Sequence, residues 1–200
     1  PTVLNETISV PGTLRAFETT EIRPEVTGRV VSISFTEGRY VEKGTLLVTL
    51  FNDDLKARLN KLKVQLSKAE TTAKRYSELL KISGISQQEF DLAELEVHNL
   101  NADIQLVNVD IARTEIRAPY SGQLGLRNVS LGAYVTPNDV ITNISQVNKL
   151  KIDFTVPEKY TDRMMRGKKI DFTIDGSDKH FSASIIATES HITEETRSLK

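Results

Sequence analysis

The chain has 200 residues and 38% hydrophobic content, enough for one large domain or two to three small ones. Its 26 Lys and Arg against 27 Asp and Glu leave a formal net charge of -1, and the bases are interspersed with the acids, which argues against nucleic acid as a partner. Apolar runs of only a few residues fall short of the roughly 20 that a transmembrane helix needs. The absence of cysteine excludes disulfides and thiolate metal sites and leaves the compartment open.

Residues 3–20 alternate loosely (Val3, Ile8, Val10, Leu14, Phe17) around the Pro11-Gly12 break, predicting short strands joined by a turn. The next stretch, residues 21–50, reads EIRPEVTGRVVSISFTEGRYVEKGTLLVTL, a β-rich run broken by glycines. Residues 52–114 then change period. Leu55, Leu59, Leu62, Leu66, Ala69, Ala73, Tyr76 and Leu80 fall at alternating spacings of four and three, one face of a coiled-coil helix. After a short break at 83–86 the register returns at Phe90, Ala93, Val97, Leu100, Ile104, Val107 and Ile111. Two such seams joined by a tight turn can bury each other only as an antiparallel hairpin, each arm about 40 Å long at 1.5 Å per residue.

The helix ends are legible too. Asn52 reads as an N-cap, with Asp53 and Asp54 in the first turn where the helix dipole favours negative charge. Gly84 is expected to take the left-handed conformation that closes the first helix, with Ile85 folding back on Leu80. Ser86-Gln87-Gln88-Glu89 reads as a capping box, with Ile85 and Phe90 placed for a hydrophobic staple.

Residues 115–144 read EIRAPYSGQLGLRNVSLGAYVTPNDVITNI. At a constant offset of 94 they share Glu21/Glu115, Ile22/Ile116, Arg23/Arg117, Gly28/Gly122, Gly38/Gly132, Tyr40/Tyr134 and Val41/Val135 with the earlier β-rich run, an internal repeat. Neither copy is long enough to enclose a core, so the two halves are expected to pack on each other as a small pseudo-symmetric β-sandwich, with the hairpin inserted between them. From Lys149 the pattern changes again. Leu150, Ile152, Phe154 and Val156 alternate as a strand, Pro157-Glu158 opens a short helix that Gly167 closes, and residues 169–174 and 181–187 read as strands around the Asp175-Gly176 turn. With the N-terminal strands these are expected to form a small barrel. The expected fold is therefore mostly β with a long helical hairpin, arranged as a barrel domain at 1–20 and 147–200, a sandwich at 21–51 and 114–146, and the hairpin at 52–113.

The halves, with their Gly-x9-Gly spacing (Gly28/Gly38 and Gly122/Gly132), resemble biotinyl/lipoyl carrier domains. Split by a coiled-coil hairpin and followed by LKIDFTVPEKYTDRMMRGKKIDF, they resemble periplasmic adaptors, the membrane fusion proteins of tripartite efflux pumps. The final ITEETRSLK is similar to a stretch late in the adaptors' barrel. Because the chain begins at Pro1 without methionine or signal peptide and stops at Lys200 without a closing turn, it reads as a fragment of a longer protein. The resemblance implies a periplasmic location with an N-terminal inner-membrane anchor, and self-association into a ring. It also implies an inner-membrane transporter of the proton-driven resistance-nodulation-division (RND) class and a TolC-type outer-membrane channel as partners. An adaptor of an ATP-driven exporter is the alternative within the family. Adaptors that dock on TolC-type ducts carry Arg-x3-Leu-x6-Ser at the hairpin tip, and Arg75, Leu79 and Ser86 stand at that spacing.

Each of those residues has a plainer reading. Ser86 is explained by capping alone, and Arg75 by a solvated flank or an i,i+3 pair with Glu78. Leu79 lies one position off the seam, so it should stay partly exposed beside Ile82 and Ile85 as a docking surface. On the second helix Leu92, Leu95, Ala102, Leu106 and Val109 form a second apolar stripe that a two-helix hairpin does not use, which suggests packing against a neighbouring hairpin; scattered surface apolars are the bland reading. No enzyme is expected. His98, His180 and His191 are isolated, with no HExxH motif or metal-ligand spacing, and Ser121, Gly122 and Ser130 lack the context of a nucleophile elbow. No cofactor is expected either. A swinging-arm carrier needs a modifiable lysine between its halves, and here the junction Leu50-Phe51-Asn52-Asp53 leads into helix.

Overall fold

The computed structural model describes residues 8–157, 160, 164–188 and 198–199. In chain order the elements are β1 (Gly12–Ala16), β2 (Thr19–Ile22), β3 (Gly28–Ile33), β4 (Tyr40–Val41), β5 (Leu46–Leu50), α1 (Asp53–Lys81), α2 (Gln87–Thr114), β6 (Glu115–Arg117), β7 (Gly122–Leu124), β8 (Tyr134–Val135), β9 (Thr142–Ser145), β10 (Leu150–Phe154), β11 (Val156–Pro157), β12 (Lys169–Ile174), β13 (Ser177–Ser184) and β14 (Ser198–Leu199). The protein is thus mostly β with two long helices. It divides into two compact units, Glu18–Asn148 and the segments Pro1–Phe17 with Lys149–Lys200.

The larger unit holds two four-stranded sheets, ordered β2-β9-β7-β4 and β6-β5-β3-β8. At the repeat offset β2 matches β6, β9 matches β5, β7 matches β3 and β4 matches β8, so the sheets are copies of one another. Each takes two strands from either half. The halves therefore interleave and do not stack as separate layers, and neither sheet is complete without both. The shared core repeats the same pairing: Ile22 with Ile116, Val30 with Leu124, Leu47 with Ile141, Leu50 with Ile144 and Val41 with Val135 are buried or packed against it. Gly38 and Gly132 sit at equivalent turns with φ of 70° and 82°, where a side chain would be strained. Gly122 serves close approach instead, since a Cβ there would come within 2.7 Å of the Ser145 carbonyl oxygen.

Polar groups follow the symmetry too. Arg23 pairs with Glu21 at 2.6 Å and Arg117 with Glu115 at 2.8 Å. Arg23 also donates to the Asn138 carbonyl, and Arg117 to the Gly44 carbonyl at 2.9 Å. Asn138 and Gly44 are themselves repeat equivalents, so each half's arginine holds the backbone of the other half. The ion pairs are half-exposed and worth at most about 1 kcal/mol each; the cross-half carbonyl bonds fix the register.

Between β5 and β6 the chain leaves as the hairpin. All eight expected seam positions of α1 are half-buried, and Leu100 and Val107 of α2 are fully buried, with Phe90, Ala93, Val97, Ile104 and Ile111 half-buried between and beyond them. The 29 residues of α1 span about 43 Å. At the root, Asn52 occupies the N-cap position of α1, with Asp53 and Asp54 in the first turn, but its side chain makes no capping bond. Buried to 2% exposure, it donates from Nδ2 to Thr114 Oγ1 at 2.8 Å, and that hydroxyl donates to the Ile111 carbonyl at 2.6 Å. The cap expected from residue type is thus replaced by a bridge between the two helix ends, because Asn52 faces a protein interior in which an amide must find a side-chain partner.

In the smaller unit three antiparallel ladders are formed, β1 with β10, β11 with β14, and β12 with β13. Gly176 makes the expected turn with φ of 81°, but β13 begins at Ser177, four residues before the expected strand, because the tight turn lets pairing start at once. Phe172 stacks on Phe181 with ring centroids 5.4 Å apart. Pro157, expected to open a helix, lies in β11. Of the rest of that expected helix, residues 158, 159 and 161–163 lie outside the described residues, while 164–167 are not helical and end in a turn with Gly167 at φ of 87°; Val3, His191 and most of the segment 192–200 also lie outside the described residues.

Candidate docking site at the hairpin tip

The tip is built by how α1 stops. The Gly84 N–H donates to the Leu79 carbonyl at 2.8 Å and the Ser83 N–H to the Leu80 carbonyl at 3.0 Å, the pair of bonds that defines a Schellman motif. The left-handed residue is Ser83, with φ of 55°, and not Gly84 as its type suggested. The chain register decides this, because the motif's left-handed position falls one residue after the Ile82 C-cap.

Helix α2 opens on a full capping box. Ser86 Oγ accepts from the Glu89 N–H at 3.3 Å, while the Ser86 N–H and hydroxyl both donate to Glu89 Oε2 at 2.8 Å. Two hydrogen bonds onto one carboxylate favour its charged form and hold Glu89 below the ordinary glutamate range, the backbone donor contributing most. Ile85 and Phe90, the expected staple, are both half-buried.

The structure therefore places Arg75, Leu79 and Ser86 within the last two turns of α1 and the first residue before α2. Arg75 and Leu79 are four residues apart and share a face of α1. Arg75 is exposed, and no ion pair with Glu78 forms among the described residues. Leu79 is half-buried, as its off-seam position implied, and Ile82 beside it is 75% exposed. Ser86 is fully committed to the capping box. The tip can present an apolar contact flanked by the exposed cations Arg75 and Lys81.

The second stripe of α2 is also open. Leu92, Leu95, Leu106 and Val109 are all about half-exposed or more, and Val64 of α1, which the sequence reading passed over, is 65% exposed. Elsewhere a cleft of about 220 Å³ lies between β2, β6 and the end of α2, lined in part by Arg23, Arg113 and Arg117. All three arginines are tied to Glu21, Asp110 and Glu115, which leaves no free cationic lining among them for an anion. Among the described residues no group of three or more metal-ligating side chains is brought together, and no helix is long and apolar enough to cross a membrane.

A barrel-sandwich hybrid interrupted by a helical hairpin is the architecture of a membrane fusion protein. Residues 18–146 match the RND membrane fusion protein barrel-sandwich hybrid domain, and the chain belongs to that family, the periplasmic adaptors of efflux pumps. It is 31% identical over 156 residues to the solvent efflux pump periplasmic linker SrpA of Pseudomonas putida, covering 77% of this chain and 41% of that protein. It is equally similar, at 31% over 156 residues, to the toluene efflux pump periplasmic linker protein TtgG, also of Pseudomonas putida, of which it covers 40%. The chain thus spans about two fifths of the length of these curated relatives. Among solved structures, a MacA-MexA chimeric protein containing the Pseudomonas aeruginosa MexA α-hairpin domain superposes with a TM-score of 0.79 at 20% identity, over 90% of this chain and 66% of the other. The membrane fusion protein Spr0693 of Streptococcus pneumoniae R6 gives 0.73 at 15% identity, over 94% and 85%. These two likenesses concern the fold.

Proposed function

We propose that the protein links an inner-membrane transporter of the RND class to a TolC-type outer-membrane duct for efflux of drugs and other small molecules, acting by assembly and sealing. In this reading the domains are those expected from the sequence: a lipoyl-like sandwich (21–51 and 114–146) that carries the hairpin (52–113), and a partial barrel (1–20 and 147–200), with attachment to the inner membrane through an N-terminal anchor. Arg75, Leu79 and Ser86 form the duct-docking tip, Ser86 by holding the shape of the turn. Leu92, Leu95, Leu106 and Val109 pack against the hairpin of the next copy in a ring.

The observation that carries the reading is the tip itself: a half-buried leucine and an exposed isoleucine at the far end of a stiff hairpin, beside an exposed arginine. Apolar side chains gathered at the distal end of a projecting element are what a second protein would cover. The RND assignment of the family supports a proton-driven transporter over an ATP-driven one. A carrier role is disfavoured because the position between the halves, where a swinging arm would sit, is occupied by the hairpin.

These 200 residues contain no cysteine, so a thiol introduced at Ile82 stands alone in them and can be cross-linked in cells expressing the full-length protein, once any cysteine outside this stretch is replaced. Cross-links to the outer-membrane duct from Ile82→Cys, and none from Val31→Cys on the sandwich, are the expected result. Cross-links from neither position, in a pump that still exports, would contradict tip docking.

A further inference from the structure

The glycine at the tip does not do what its residue type suggests. Ser83 supplies the left-handed residue, so Gly84 is not required for its φ. The three nearest atoms that a Cβ there would meet, its chain neighbours aside, all belong to Leu79. A Cβ at position 84 would lie 3.3 Å from the Leu79 carbonyl oxygen, 3.5 Å from Leu79 Cδ2 and 3.7 Å from Leu79 Cβ. The turn causes this, since the Gly84 N–H bond to the Leu79 carbonyl folds residue 84 back over that side chain. We infer that Gly84 is a specificity-determining position of the tip: being bare, it leaves the Leu79 methyls open to a partner's apolar surface, which any side chain at 84 would begin to cover.

The inference rests on the docking reading above and deepens it. Alanine at 84 fits with a shift of a few tenths of an ångström against the Leu79 carbonyl, because 3.3 Å is tight but not forbidden. Valine would place two further methyls next to Leu79. Neither change demands a disallowed backbone, so the hairpin is expected to fold with both. Residue 84 would thus tune how much of Leu79 a duct can reach without itself being a contact.

The test uses the full-length protein carrying Leu79→Cys as its only thiol, with Gly, Ala or Val at 84, and reads the rate of labelling by a maleimide. The rate is expected to fall severalfold from Gly to Val, with Ala between, while an Ile82→Cys control labels equally in all three. Equal rates at position 79 would overturn the inference, whatever docks at the tip. In parallel, Gly84→Ala and Gly84→Val with Leu79 retained are cross-linked to the duct, with thermal melting as the check on folding; should Val lower the melt, Ala carries the comparison. Cross-linking that declines in the order of the labelling rates supports the inference, and undiminished cross-linking overturns it. The parent reading is judged separately, by Leu79→Asp with Gly84 unchanged.

Discussion

Asn52 and Thr114, 62 residues apart in sequence, meet at the hairpin root through a buried 2.8 Å bond from the Asn52 amide to the Thr114 hydroxyl. It ties the first residue before α1 to the last residue of α2, where the two helices leave the sandwich. A buried bond of this kind contributes about 1 kcal/mol net, and removing one partner costs about 1–3 kcal/mol through the polar group left behind. Asn52→Ala should therefore destabilise by that amount. Asn52→Ser, a good N-cap by residue type, should not rescue it, because no capping bond exists to restore. A double-mutant cycle with Thr114→Val, read by chemical denaturation, is expected to give a coupling of about 1 kcal/mol. Simple additivity would show the bond to be energetically idle.

Ser83 is a non-glycine residue in the left-handed region. That conformation costs roughly 1–2 kcal/mol, while glycine adds about 0.4–1 kcal/mol of unfolded-state entropy. Ser83→Gly should thus stabilise by up to about 1 kcal/mol. The gain should appear as slower amide exchange at Ser86 and Glu89, next to the turn.

The capping box makes tip stability depend on pH in one direction. Glu89 has its pKa lowered by bonds from the Ser86 backbone and hydroxyl, so its contribution is fully present above the ordinary glutamate pKa and is lost as pH falls through the depressed folded value. The stability difference between the wild type and Glu89→Gln should be constant above about pH 5 and shrink in the acid range below about pH 4. A difference that grew on acidification would mean the carboxylate is not stabilised by the box. Asp139 is lowered in the same direction, chiefly by Thr136, and adds the same sign of slope to both proteins, so it cancels in the comparison.

The hairpin seam and the duplicated sandwich could be read from the sequence because both are written as periods. Every apolar residue at the four-three spacing on α1 and α2 is half-buried or buried. The offset of 94 matched not only residues but strands, turns and the Arg23 and Arg117 bridges. What a period cannot show is where a polar side chain finds its partner. Asn52 looked like a cap because residue type was the only guide, and its partner lay at the far end of the hairpin. Ser83 took the left-handed role expected of Gly84 for a similar reason: the hydrogen-bond register that fixes the left-handed position depends on which residue ends the helix, a boundary that composition sets only to within a residue or two. The interleaving of the halves was not legible, because each half carries four strands and the repeat does not say which sheet each strand joins.

An open stripe on α2 predicts self-association. Leu95→Asp and Leu106→Asp, at positions 53% and 65% exposed, should leave the thermal melt of the isolated chain within about 0.5 kcal/mol of wild type, as for surface changes elsewhere. In the full-length protein the same changes should weaken oligomers seen by sedimentation, because they would bury an unpaired charge between hairpins. Unchanged sedimentation would return the stripe to ordinary surface.

Leu79→Asp in the full-length protein, compared with Leu62→Asp, tests the adaptor mechanism most directly. Leu79 is off the seam at the tip and Leu62 is on it, both half-buried. The account predicts that Leu79→Asp abolishes drug efflux and cross-linking to the duct while the melt stays near wild type, whereas Leu62→Asp lowers the melt by disrupting the hairpin. Normal efflux with Leu79→Asp would contradict tip docking, and a melt as damaged as that of Leu62→Asp would show that Leu79 belongs to the hairpin core.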